Sequence, residues 1–255
     1  MMIQTLLLAR ASRAGREIAR QLGLRVITRP TQEPTVNWGM RVPLPEGSIN
    51  RRLPGNKLKE LEALAAAGLE VVPFQTLPNS DLVISQGISS LSIDGSEWLP
   101  RTMNHREGRD FSGTWRTWNG TRRGGDLVSF LSQYATKRLP FSTEARVHVA
   151  NGRVVAAGLK CPLPGRTAHP WIRSHRLGWG IRYDDLSRAQ ILRGVRPLAV
   201  NAISSLGMNF GAVDIAWSNQ IPPTILEVNS APGGWPNTIA RLARAIGEMI
   251  TQRAG

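Results

Sequence analysis

"FGAVDIAWSNQIPPTILEVNSAPGG", residues 210–234, decides how this chain is read. Its two arms, FGAVDIAW and TILEV, are rich in β-branched and aromatic residues. The proline-bearing SNQIPP between them reads as a six-residue turn, so the stretch predicts a hairpin. Asp214, Glu227 and Asn229 interrupt apolar runs. If Trp217 and Thr224 form the last pair, counting back three positions on each strand sets Asp214 opposite Glu227. Alternation then places Asn229 on the Glu227 face and turns Leu226 and Val228 the other way. Two carboxylates opposed across a strand pair repel. A divalent cation reverses that cost, and an all-oxygen set without His or Cys suits magnesium shared with phosphates. The competing reading of these residues alone is a solvent-facing strand pair.

Upstream, IQTLLLAR reads as a buried strand, Ser12 as the cap of a helix of about ten residues ending near Gly23, and LRVIT as a second strand. Strand, helix, strand is an α/β opening and does not resemble a signal peptide. A polar, proline-containing connector follows, with room for one short strand. Asn56 caps a helix whose Leu58, Leu61, Leu64 and Ala65 share a face, and Gly68 suits its C′ position. The segment EARVHVANGRVVAAGLK predicts a hairpin turning at Asn151-Gly152. The segment 161–180 is loop-rich and basic. LSRAQILRGVRPLAVNAISSLG reads as a helix interrupted at Pro197, and the closing helix as one capped by Asn237.

The net charge is +14, from 32 basic and 18 acidic residues. Only four of the basic residues are lysines, and arginine favours planar, bidentate contact with phosphate and carboxylate. That balance suits a phosphate-rich ligand or a polyanion such as nucleic acid. No apolar run reaches the roughly 18–20 residues of a membrane span, so no membrane partner is expected. The single cysteine, Cys161, excludes an internal disulfide and points to the cytoplasm. His169 and His175 lack zinc-ligand spacing with Cys161, and no Ser/His/Asp arrangement stands out. Nothing in the sequence sets the oligomeric state.

The hairpin, with its E-x-N followed by a small residue and Pro-Gly, resembles the metal-binding hairpin of ATP-grasp enzymes, and the rest of the chain follows that family's order over residues 50–250. The resemblance implies an α/β (α+β) ATP-grasp fold: a substrate-side domain over 1–53, a central subdomain over 54–126, and a C-terminal subdomain with the metal site over 127–255. It implies metal ligation by Asp214, Glu227 and Asn229, with ATP and two Mg2+ ions, for which Mn2+ can substitute. NKLKELEALAAAGLEVVP places Lys57 on the phosphates. WLPRTMNHREGRDF puts Arg101 where the family has a lysine, followed by a phosphate loop with His105, Arg106 and Gly108. DLVSFLSQYATKRLPFSTEARVHV nominates Gln133 and Tyr134 for the adenine hinge and Glu144 for ribose; Lys160 joins the ATP-binding set, and Arg146 joins Arg101 and Arg173 as the catalytic arginines. WIRSHRLGWG nominates Arg173 near the transferring phosphate, as in glutamate-ligase-like members. The whole is most similar to short ATP-grasp proteins of bacteriophages, which implies host cytoplasm. The implied activity is a carboxylate–amine ligase working through an acyl phosphate. The alternative is a nucleic-acid-binding protein on a silent ATP-grasp scaffold, or a ligase that modifies nucleic acid or a protein bound to it.

Overall fold

The computed structural model describes residues 3–9, 12–76, 82–84, 91–93, 96–101, 116–117, 120–121, 128–130, 134–183 and 193–254. The first unit is a three-stranded parallel sheet. Strand β1 (Thr5–Leu8) lies between β2 (Arg25–Ile27) and β3 (Thr35–Trp38). Helix α1 (Arg13–Leu22) begins where Ser12 Oγ accepts from Gly15 N, and it ends at Gly23, whose φ of 64° is the left-handed stop expected there.

Helix α2 (Lys57–Ala66) is capped by Asn56, whose side chain accepts from Lys59 N. A four-stranded antiparallel sheet follows, in the order β4 (Phe74–Thr76), β11 (Tyr134–Lys137), β7 (Ser96–Arg101), β6 (Leu91–Ile93). Two short pairs accompany it: β5 (Leu82–Ile84) with β10 (Val128–Phe130), and β8 (Arg116–Thr117) with β9 (Gly120–Thr121).

The largest sheet is antiparallel and positions the site. Its order is β14 (Trp179–Arg182), β13 (Arg153–Pro162), β12 (Thr143–Ala150), β15 (Phe210–Trp217), β16 (Thr224–Asn229). Strands β12 and β13 turn at Asn151-Gly152 with φ of 51° and 68°, the doubly positive geometry of the two-residue hairpin. Helix α3 (Val195–Ser205) covers one face: Ala199, Ala202 and Ile203 pack on Val147, Val213 and Ile215. Helix α4 (Pro236–Ala254) packs against the first unit. Ile239, Leu242 and Ile246 share one apolar cluster with Leu6, Ile18 and Trp38.

Two helix boundaries differ from the sequence reading. Pro197 sits in the first turn of α3, where its missing N–H costs nothing; the part of that reading before Arg193 lies outside the described residues. Helix α4 starts at Pro236, so Asn237 lies inside it and is not its cap; proline at the first helical position is pre-organised for that start.

Asp214 pairs with Glu227 as the hairpin reading required, though by a different route. The last pair is Ala216 with Thr224, one residue off the assumed pair, and a bulge between Asp214 and Ile215 absorbs the slip. Leu226 is the extra residue. It therefore does not share the inward face with Val228; it lines the cavity described below and packs near Leu58, Leu61 and Val72.

Candidate active site

Beside the five-stranded sheet lies a cavity of about 940 Å³. Its floor is a row of charged side chains set by strand register. Arg146 on β12 is directly opposite Asp214 on β15, and Asp214 is opposite Glu227 on β16. Arg146 grips Asp214 with both arms: Nε donates to Oδ1 at 2.7 Å and Nη2 to Oδ2 at 2.6 Å. The same Nη2 lies 3.8 Å from Glu227 Oε1. Lys160 on β13 donates to Glu144 and, at 3.2 Å, to Asp214 Oδ2. Asn229 Nδ2 donates to Glu227 Oε1 at 2.9 Å.

Asp214 is 1% exposed, so these charges interact where solvent screens them weakly. Burial opposes the charge on Arg146, but Asp214 and Glu227 more than offset it and hold the guanidinium above its usual range. Lys160 follows the same pattern, with burial overcome by Asp214 and Glu144. Behind the row, His148 is fully buried, with Nε2 3.0 Å from the Tyr183 hydroxyl. Burial and the neighbouring Arg146 pull His148 down to about 3, so it is neutral at physiological pH. Burial pushes Tyr183 up to about 12.

The repulsion that pointed to a metal is thus relieved by the chain itself. Among the described residues no group of three His, Cys, Asp or Glu side chains is placed to hold a metal ion. Glu227 and Asn229 line the cavity and offer oxygen donors that fit a divalent cation. Asp214, with both oxygens on Arg146 and one shared with Lys160, does not.

Arg101, Glu144, Arg146, Lys160 and Arg173 all line the same cavity. Arg173 donates to the carbonyls of Phe141 and Ser142 at 3.1 and 3.0 Å and lies over the Trp179 ring. Lys57 does not line the cavity. It is buried, donates to Glu60 and to the Val228 carbonyl, and lies 4.0 Å from Glu227. Glu60 accepts from Val228 N at 2.6 Å. Lys57 and Glu60 therefore hold both sides of the Val228 peptide, fixing the strand between Glu227 and Asn229. Tyr134 is buried inside β11, paired with Thr76 and Arg101, and also lies off the cavity. The wall at that edge is Thr136 and Lys137 at the end of β11 and Arg138 to Phe141 in the crossover to β12. His105, Arg106, Gly108 and Gln133 lie outside the described residues.

Sequence reasoning missed Leu139, Leu226, Tyr183 and Trp235 in the cavity wall. Pro140, which separates two strands, was a signal for the crossover. Leu226 carried no signal because a bulge placed it. Trp235 is 63% exposed and stands next to the proline that opens α4.

The fold is the ATP-grasp fold. D-alanine–D-alanine ligase from Bacillus anthracis aligns with a TM-score of 0.59 at 12% identity, over 100% of this chain and 97% of that one. The same enzyme complexed with ATP gives 0.53 at 15%, over 99% and 79%. The macrocyclase MdnC from Microcystis aeruginosa MRC, bound with precursor peptide MdnA, is 13% identical with a TM-score of 0.45, over 77% of this chain and 61% of that one. The ATP-grasp ligase PsnB complexed with minimal precursor is 14% identical at 0.45, over 78% and 60%, so the chain spans about 60% of the length of these two proteins. No protein-family model matches the chain, and no curated protein matches it by sequence. No helix among the described residues is long and apolar enough to cross a membrane.

Proposed function

We propose that the cavity binds ATP with magnesium and that the chain is an ATP-dependent carboxylate–amine ligase. The observation that carries this reading is the convergence, in one cavity of an ATP-grasp fold, of Glu227 and Asn229 with Arg101, Lys160 and Arg173. Val72, Leu139 and Leu226 make one side of that cavity apolar, which suits a purine ring. Magnesium, held by Glu227 and Asn229, would supply charge neutralisation at the phosphates.

A substrate carboxylate oxygen attacks the γ-phosphorus, the bond to the β-phosphate oxygen breaks and ADP leaves. The amine then attacks the acyl carbon of the acyl phosphate, phosphate departs, and the amine loses a proton. The protein's task is to orient the partners and stabilise developing negative charge. Arg173, fixed by two backbone carbonyls, and Arg101, fixed on β7, are fixed cations for the phosphates; Glu144 and Lys160 form the pair beside the sugar. His105, Arg106 and Gly108 remain assigned to the phosphate loop and Gln133 to the hinge. The glutamate-ligase-like and bacteriophage placements rest on the sequence motifs alone.

The reading is tested by ADP release with carboxylate and amine pools. ADP that appears with wild type and disappears in Glu227→Gln supports it. A second reading, a ligase acting on nucleic acid or on a protein bound to it, is favoured by Trp171 and Trp235, 41% and 63% exposed and both lining the cavity. Salt-sensitive nucleic-acid binding with no nucleotide binding by the folded protein would leave the silent-scaffold alternative instead.

A further inference from the structure

We propose that Arg146 is the built-in cation of this site, and that Asp214 anchors this arginine and does not ligate a metal. Arg146, Asp214 and Glu227 stand in one row across three adjacent strands. Their placement is thus set by backbone register as well as by side-chain rotamers. The Nη2 of Arg146 is 2.6 Å from Asp214 Oδ2 and 3.8 Å from Glu227 Oε1. That is the position a cation shared by the two carboxylates would take. Magnesium demands near-octahedral oxygen ligands at about 2.0–2.1 Å. Both Asp214 oxygens already accept from the guanidinium, and Oδ2 also accepts from Lys160. A metal on Asp214 would have to displace a mostly buried guanidinium from a bidentate, charge-assisted pair.

A guanidinium and a metal ion are not equivalent here. The arginine is fixed in the sheet before any nucleotide arrives, and it presents hydrogen-bond donors, which a phosphate oxygen can accept directly. The site then takes one divalent ion per nucleotide, on the Glu227 and Asn229 side. This stoichiometry rests on the proposed nucleotide site; the exclusion of metal from Asp214 does not.

The test is the count of bound Mn2+ by electron paramagnetic resonance. Wild type with a non-hydrolysable ATP analogue should bind one Mn2+ per nucleotide; two would overturn the proposal, and this arm needs no variant. With Mn2+ alone, Arg146→Met should bind the ion at least about tenfold more tightly than wild type, because the carboxylates lose their resident cation. That gain should vanish in the Arg146→Met/Asp214→Asn double variant, and Arg146→Lys, which keeps a cation in the row, should show little of it. Equal Mn2+ binding by wild type and folded Arg146→Met would overturn the proposal. If the wild type binds no nucleotide, the ligase reading fails while the Mn2+-only comparison still decides the role of Arg146.

Discussion

Two groups of buried polar residues sit close together in this molecule and behave differently. One joins the N-terminal unit to the large sheet. Asn50, fully buried at a φ of 54°, accepts from the backbone N–H groups of Asn209 and Phe210 and donates to the Phe210 carbonyl. Asn209 returns the contact by accepting from Asn50 N. The other is the row of Glu144, Lys160, Arg146, Asp214 and Glu227. The first is neutral, closed and satisfied by backbone; the second is charged and opens onto a cavity. Burial of polarity alone therefore does not mark a site. Charge that is partnered yet still faces a cavity does.

The largest expected effect separates the two at once. Asp214→Ala leaves Arg146 and Lys160 without their shared counter-charge, so unfolding free energy should fall by about 3–5 kcal/mol, together with loss of ADP release. Asn50→Ala leaves buried backbone groups unsatisfied and should cost about 2–4 kcal/mol in a urea titration. Nucleotide affinity of the folded Asn50→Ala fraction should stay unchanged. If it collapses, the amide joint is not purely structural and the distinction fails.

His148 lies behind the charged row and sharpens the contrast through pH. Its folded form stays neutral down to about 3, whereas an unfolded histidine takes up a proton near pH 6.5. The unfolded state thus binds more protons between these values. The contribution of His148 to stability is complete above pH 6.5 and is lost as pH falls towards 3. Across pH 4–6, His148→Gln should lose stability less steeply than wild type, by about 1.4 kcal/mol per pH unit, one proton's worth. Identical slopes would mean that His148 is protonated in the folded protein.

The smallest effect is at the rim. Trp171 carries the Arg138 guanidinium 3.5 Å from its ring centroid, and Arg138 also pairs with Glu97. Trp171→Ala should change stability by no more than about 0.5–1 kcal/mol. A larger loss would place this tryptophan in the structural class with Asn50.

The local signals in the sequence were good where chemistry is local. Ser12, Gly23, Asn56 and the Asn151-Gly152 turn sit where their caps and positive φ values require. The opposition of Asp214 to Glu227 comes from counting back from an assumed Trp217–Thr224 pair, which lies one residue off the true last pair, and the bulge restores the register. That bulge was not legible, since alternation counts residues and a bulge adds one. Least legible was who neutralises whom. Arg146 lies 68 residues from Asp214 along the chain, and only the β12–β15 register brings them together. For the same reason Lys57 read as a phosphate ligand, while in the fold it secures the Val228 peptide. Tyr134 reads as hinge, while in the fold it is buried in β11 and Thr136 is the residue of that strand that faces the cavity together with Lys137.

If the chain is a ligase, the cavity floored by β12, β13, β15 and β16 must bind a magnesium nucleotide. Calorimetric titration of a non-hydrolysable ATP analogue with Mg2+ into wild type and Glu227→Gln tests it most directly. Wild type should bind it saturably, and the variant at least about tenfold more weakly. A folded wild type that takes up no nucleotide, or a Glu227→Gln variant that binds it equally well, would rule out a magnesium nucleotide held by Glu227 in this cavity.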